Sequence, residues 1–290
     1  MICSYGVTRQ GTYHIEKGLV CQDAHYIEKI SEHFAIAAVA DGLGSELYSD
    51  VASKIAAEEA VLFCKNMLSE NSTEEEIYTT LKDAFKAALK KINETAEKEE
   101  KPQDQYDTTL VVAVYLNGNV YFGNAGDSGI VVLNNDGTYE AVTEQQRDEG
   151  GLVFPLCFGE KYWKFGMKQN VASVFMATDG MFETLFPYLL RTEEVKIYVA
   201  LAQYMMDELS IGFEERGEEA VQQEMEAFID SIPGNQVNDD KTVLVMLDTE
   251  YKADRQEESY YVVPDWTELK RKHDEAFRRA AYPHLYKDEE

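Results

Sequence analysis

Phe34–Gly44 reads FAIAAVADGLG: an apolar, strand-like run, Phe34–Ala40, that stops at an Asp41-Gly42 corner. The arrangement returns along the chain. Val120–Asn124 (VYFGN) runs into Gly126-Asp127-Ser128, and Ser173–Ala177 (SVFMA) runs through Thr178 into Asp179-Gly180. Asn238-Asp239-Asp240 leads into Thr242–Leu247 (TVLVML), and Gln22-Asp23 precedes a further strand at Ala24–Ile27. One Asp-Gly after a strand is ordinarily a turn, and an aspartate can also cap a helix. Repeated acidic corners at strand ends are a different signal. Ends of adjacent strands lie about 5 Å apart, so if these strands are neighbours, their aspartates meet. Carboxylates gathered without partners repel one another. Hard cations such as Mg²⁺ or Mn²⁺, which favour carboxylate, carbonyl and water oxygens, relieve that repulsion.

Around these corners the chain alternates strands with blocks of helix. Thr108–Tyr115 and Val120–Asn124 flank Asn117-Gly118, a two-residue hairpin signal, and Asn135-Asp136-Gly137 marks a turn after Gly129–Leu133. Ser49–Met67 has helical apolar spacing, and Ser72-Thr73-Glu74-Glu75 reads as a capping box opening a helix through about Glu97. Further helical regions are expected at Glu193–Leu209 and Glu218–Ile229. Strands, two long helices and then hairpins make an α+β order, with antiparallel sheet and helices packed outside it. Residues 1–250 are expected to form one domain and 251–290 a charged C-terminal extension. Asp265 or Thr267 would cap a helix there through Ala281, with Trp266, Leu269, His273 and Phe277 on one side. Lys270, Arg271, Lys272, Arg278 and Arg279 make it the most basic segment, expected to pack back on an acidic body.

The chain has 290 residues, 54 acidic against 27 basic, a net charge of −27 that disfavours nucleic acid and anionic membrane as partners. No apolar run approaches the ~18 residues of a membrane span, and the N-terminus lacks a signal-peptide layout. The four cysteines, Cys3, Cys21, Cys64 and Cys157, are scattered without a CxxC pair, as reduced thiols in a cytoplasmic protein would be. P-loop, GxSxG, HExxH and EF-hand patterns are absent, so no nucleophile–base motif competes with the aspartates.

Taken in order, Gly18–His25 (GLVCQDAH), Val39–Ser53 (VADGLGSELYSDVAS), Asn124–Gly129 (NAGDSG), Ala177–Glu183 (ATDGMFE) and Asp239–Leu247 (DDKTVLVML) resemble the metal-dependent serine/threonine protein phosphatases of type 2C, with the bacterial branch nearest. The resemblance implies a four-layer α/β/β/α sandwich with two central antiparallel sheets and a binuclear Mn²⁺ or Mg²⁺ site at one edge. It makes Asp41 the bridging carboxylate and the Gly42 carbonyl a ligand of the second ion. Asp179 and Asp239 would hold the first ion, Asp23 would sit on a water beside the site, and Asp127 would help to bind a third, weaker ion. Asp240 replaces a common asparagine and is the lesser candidate. The implied reaction is hydrolysis of phosphoserine and phosphothreonine by a metal-activated water, with a phosphoprotein as substrate and a serine/threonine kinase as counterpart.

The chain departs from the family pattern where phosphate would be gripped. The arginine expected before the acidic pair is replaced by Gly18 and Leu19, Gln22 stands for a frequent glutamate, and Gly129 ends a motif usually written GDSR. Lys17 and His14 are the nearest substitutes, and His14 is also the candidate general acid. Phe154, Phe158, Tyr162, Trp163 and Phe165 are read as core or as an aromatic rim to the cleft. The missing arginine motivates one alternative, a regulatory binding module on the same fold with little or no catalysis; a hydrolase of small phosphoesters is another, because metal chemistry does not name the leaving group.

Overall fold

The computed structural model describes residues 1–282; the end of the expected extension, 283–290, lies outside them. Its strands are β1 (Ile2–Arg9), β2 (Asp23–Ser31), β3 (Phe34–Asp41), β4 (Leu110–Leu116), β5 (Asn119–Ala125), β6 (Gly129–Asn134), β7 (Tyr139–Ala141), β8 (Lys164–Gln169), β9 (Val171–Ala177) and β10 (Lys241–Asp248). Its helices are α1 (Thr12–Lys17), α2 (Ser49–Met67), α3 (Glu74–Lys98), α4 (Asp179–Leu185), α5 (Val199–Met206), α6 (Glu208–Ile211), α7 (Phe213–Arg216), α8 (Glu218–Ser231) and α9 (Trp266–Ala281). The strands make two antiparallel sheets, ordered β1-β10-β9-β6-β7 and β2-β3-β4-β5-β8.

Strand β3 shows why the layers stack as they do. Ala35, Ala37 and Val39 lie in the core between the sheets with Val111, Ala113, Met176 and Leu244. Ile36, Ala38 and Ala40 point the other way, into the core shared with Ala56, Ala60 and Phe85 of α2 and α3. A strand apolar on both faces belongs in the middle of a layered structure. Its alanines are short enough for α2 to approach the sheet closely. The other sheet is covered by α4, α5 and α8 through Phe182, Met205 and Met225. This is the expected four-layer sandwich.

The Asn117-Gly118 hairpin forms as read, with φ of 49° and 76° at its two residues, the left-handed pair that a tight hairpin twist requires. Elsewhere the structure departs from expectation. Strand β1, not read from the sequence, pairs along its whole length with β10; Cys3, Tyr5 and Val7 face one core, and Ser4, Gly6 and Thr8 fall between them. Strands β7 and β8 are short or half-exposed, and β8 reads KFGMKQ without a continuous apolar face. The capping box sits one residue later than read. Thr73 accepts from the Glu76 amide while the Glu76 carboxylate accepts from the Thr73 amide. The helix expected over Glu193–Leu209 is two helices, starting only at Val199. Asp207 breaks it because its carboxylate accepts from the Leu209 amide and the Tyr139 hydroxyl.

Helix α9 is capped by Asp265, which accepts from the Thr267 and Glu268 amides. It returns to the body through Trp266, edge-on to Tyr198 at 5.0 Å, and His273, edge-on to Tyr188 at 5.2 Å. Phe277, expected on the packed side, is 66 % exposed. No described helix is long and apolar enough to cross a membrane. The four cysteines are free thiols.

Candidate metal centre

The antiparallel register of β2 and β3 sets Asp23 directly opposite Asp41. The turn between β5 and β6 brings in Asp127, the first residue of α4 is Asp179, and Asp239 stands just before β10. Carboxylate oxygens of Asp41, Asp127 and Asp179 lie within 4.8 Å of one another, although these residues are widely separated in sequence. Asp23 and Asp239 act electrostatically on the same carboxylates.

The corners are held from behind, Asp41 by its backbone and Asp23 by its carboxylate. The backbone amide of Asp41 donates to the Thr109 hydroxyl at 2.9 Å, and its carbonyl accepts from the Thr109 amide at 2.8 Å and the Thr108 hydroxyl at 2.9 Å. Asp23 accepts from the Thr178 hydroxyl at 2.7 Å, which itself accepts from the Thr242 amide. The backbone of Gly42 bridges to Thr108 and packs against the start of α2; a Cβ there would lie 2.5 Å from the Ser49 carbonyl oxygen. These hydroxyl anchors escape sequence reasoning, although Thr178 stands directly before Asp179.

Asp240 is a strut. It is 3 % exposed and accepts from the Gly11 and Gln22 amides, both at 2.6 Å, tying α1 and the start of β2 to the Asp239 corner. His14 sits on this strut, its Nδ1 2.9 Å from Asp240 Oδ1 but off the line of a hydrogen bond. Glycine is required on both sides of the corner. A Cβ on Gly11 would lie 2.2 Å from the Asp239 carbonyl carbon, and one on Gly180 2.4 Å from the Asp240 carbonyl oxygen. Gly11→Ala should therefore push the corner outward and weaken Mn²⁺ binding about 10- to 100-fold, read by equilibrium dialysis; unchanged binding would show that the corner does not position a ligand.

Burial and crowding govern the charge state. Loss of hydration, then repulsion from Asp23, Asp179, Asp127 and Asp239, holds the Asp41 carboxyl well above the usual range. Burial also raises Asp23, against the lowering effect of the Thr178 hydroxyl. Burial, with repulsion from Asp127 and Asp239, pushes Asp179 up to about 7. Burial raises Asp127 as well, although Arg147 opposes it. Asp127 Oδ1 is buried with no hydrogen-bond partner. A set of oxygen donors that resist ionisation together and include an orphaned buried oxygen fits a hard divalent cation.

One cation of the chain reaches this cluster unannounced by the sequence. Arg147 donates from Nε to Asp127 Oδ2 at 2.6 Å and from Nη2 to Asp179 Oδ2 at 2.8 Å; its Nη1 lies 3.4 Å from Glu183. Beside Asp179 and Asp239 a cavity of about 1360 Å³ opens, walled by Tyr188, Tyr198 and Trp266, with Arg191 and Lys196 supplying positive charge. Of the aromatics read as core or rim, Trp163 is core, donating to the Leu156 carbonyl, and Phe165 packs on Phe85. Phe154, Phe158 and Tyr162 instead form a cluster of their own, with Phe158 41 % exposed.

The family model for protein phosphatase 2C matches residues 10–230. The chain belongs to that family. It is a metal-dependent serine/threonine phosphatase by class. Its fold is similar to that of solved phosphatases at low identity. A bacterial serine phosphatase superposes with a TM-score of 0.60 at 16 % identity, covering 87 % of this chain and 99 % of that one. The serine/threonine phosphatase Stp1 from Staphylococcus aureus gives 0.58 at 16 %, covering 85 % and 95 %. The serine/threonine phosphatase of S. agalactiae gives 0.56 at 14 %, covering 85 % and 99 %. No curated protein sequence matches the chain.

Proposed function

We propose that this phosphatase uses Asp41, Asp179, Asp239 and the Gly42 carbonyl to hold two Mn²⁺ or Mg²⁺ ions, with Asp127 contributing to a third position. The observation that carries this reading is the convergence of the Asp41, Asp127 and Asp179 carboxylates, with Asp127 Oδ1 buried and unpartnered. Such ions, when bound, supply a nucleophilic water at neutral pH and offset charge on phosphoryl oxygens. The chain's own residues do the positioning. Asp23, fixed through one oxygen by Thr178, orients the attacking water with the other. Attack on phosphorus breaks the ester bond to serine or threonine, whose oxygen takes up a proton, leaving alcohol and inorganic phosphate. His14, packed against Asp240, is given no part in the proton path. The cavity beside Asp179 and Asp239 takes the protein segment around the phosphoresidue, with Arg191 and Lys196 facing its negative charge.

On this reading residues 1–250 form the phosphatase domain and 251–290 an extension whose Trp266 completes the cavity wall. The substrate is a cytoplasmic phosphoprotein made by a serine/threonine kinase. Hydrolysis of a phosphothreonine peptide and of an aryl phosphate, each in Mn²⁺, Mg²⁺ and chelator, tests the proposal. Turnover of the peptide that chelator abolishes is expected. Turnover of the aryl phosphate alone would replace the protein substrate with small phosphoesters. Metal binding without turnover of either would leave a regulatory module.

A further inference from the structure

We propose that Arg147 is a tethered cation occupying the subsite between Asp127 and Asp179, so that a metal ion enters that subsite only by displacing it. The inference rests on the metal-centre reading above and concerns a residue which that reading does not use. The guanidinium bridges two carboxylates from different elements, the β5–β6 turn and the start of α4, at 2.6 and 2.8 Å. Asp127 is 1 % exposed, and its second oxygen has no hydrogen-bond partner. Arg147 therefore satisfies half of this carboxylate, and the other half is left for a different donor.

The tether is built into the fold. The residues before Arg147 are clamped to the turn that carries Asp127. Gln145 Nε2 donates to the Asp127 carbonyl, Gln146 Nε2 donates to the Asn124 carbonyl, and the Gln146 amide donates to the Gly126 carbonyl. After it, the Asp148 side chain accepts from the Gly150 and Leu152 amides and closes the loop. The backbone of Arg147 is thus fixed beside the cluster, while its side chain is 32 % exposed, with solvent beside it into which a displaced guanidinium can turn. Glu183, 3.4 Å from Nη1, offers a partner on the way out.

Charge explains why the arrangement is a competition rather than a permanent lock. A guanidinium brings a single positive charge to a site where Asp23, Asp41, Asp127, Asp179 and Asp239 act on one another. A divalent ion offsets more of that repulsion and can use the orphaned Asp127 oxygen, which the planar fork does not reach. Occupancy of the subsite then follows metal concentration, and removing the guanidinium should tighten it.

The test is Mn²⁺ binding by the full chain, followed by electron paramagnetic resonance of the free ion, with folding checked by circular dichroism. Relative to wild type, Arg147→Gln should bind one further Mn²⁺, or its weakest site should tighten about tenfold, equivalent to about 1.4 kcal/mol. Adding Asp127→Asn should abolish the gain. Arg147→Lys, which cannot bridge two carboxylates with a planar fork, should fall between wild type and Arg147→Gln, and it carries the test alone should the glutamine variant fail to fold. Identical isotherms for wild type and the Arg147 variants would overturn the proposal while leaving the metal centre standing. Absence of Mn²⁺ binding in every variant and in wild type would remove both.

Discussion

Asp41→Asn should lower Mn²⁺-dependent turnover of a phosphothreonine peptide by about a thousandfold, the several kcal/mol that metal-held charge stabilisation supplies to a phosphoryl transfer. The substitution keeps size and shape. Its backbone anchors, the Thr109 amide and hydroxyl and the Thr108 hydroxyl, do not involve the side chain. The fold should therefore survive. The metal-free variant should also melt higher than wild type, because the carboxylate removed is one that Asp23, Asp179, Asp127 and Asp239 repel. Turnover and melting temperature moving in opposite directions is the signature of a residue kept for chemistry at the expense of stability. Peptide turnover within a few-fold of wild type would remove Asp41 from the centre.

Metal-free protein should lose stability as pH rises, and saturating Mn²⁺ should cancel or reverse that trend. Asp23, Asp41, Asp127 and Asp179 all have folded-state values raised above the ordinary carboxylate value of 3.8, with Asp179 at about 7. Between 3.8 and those raised values the native chain holds protons that the unfolded chain has released. Stability then falls with rising pH, since unfolding releases protons. For Asp179 the loss runs from about pH 4 to about pH 7, and Asp23, Asp41 and Asp127, raised by burial, act in the same direction. Melting in chelator between pH 5 and pH 8 should show a decline of at least about 5 °C. The net charge of −27 pushes in the same direction, so the Asp179→Asn variant separates the causes: its decline should be shallower. An equal slope in the variant would assign the effect to general charge repulsion. A metal ion held by these carboxylates, as proposed, would keep them ionised in the native state, so Mn²⁺ should raise the melting temperature most at pH 8.

Much of the site was legible because its parts are local. An apolar run closed by Asp-Gly states both a strand and where its carboxylate stands, and Asp23, Asp41, Asp127, Asp179 and Asp239 all stand at or within two residues of the strand ends at which they were read, Asp179 also opening α4. The Asn117-Gly118 hairpin was legible for the same reason, since its left-handed backbone is a property of two residues. Strand β1 was not read, although Cys3, Tyr5 and Val7 alternate with Ser4, Gly6 and Thr8: the run is short, carries a glycine, and takes its pairing from β10, more than 230 residues away. The break at Asp207 was equally hidden, being made by a hydroxyl from Tyr139 as well as by local capping.

Arg147 marks the limit most clearly. The sequence alone established an α+β chain with aspartates at strand ends and without the expected phosphate-contacting arginines, because each of these statements concerns neighbours along the chain. That an arginine stands among those aspartates after all is a matter of tertiary structure. Arg147 lies 20 residues from Asp127 and 32 from Asp179, in a polar loop with no periodicity to interpret. Only the folding of that loop onto the β5–β6 turn, and of α4 beside it, brings guanidinium and carboxylates within hydrogen-bond distance. Charge attracts over a few ångströms of space, and distance in space is what a linear order of residues does not contain.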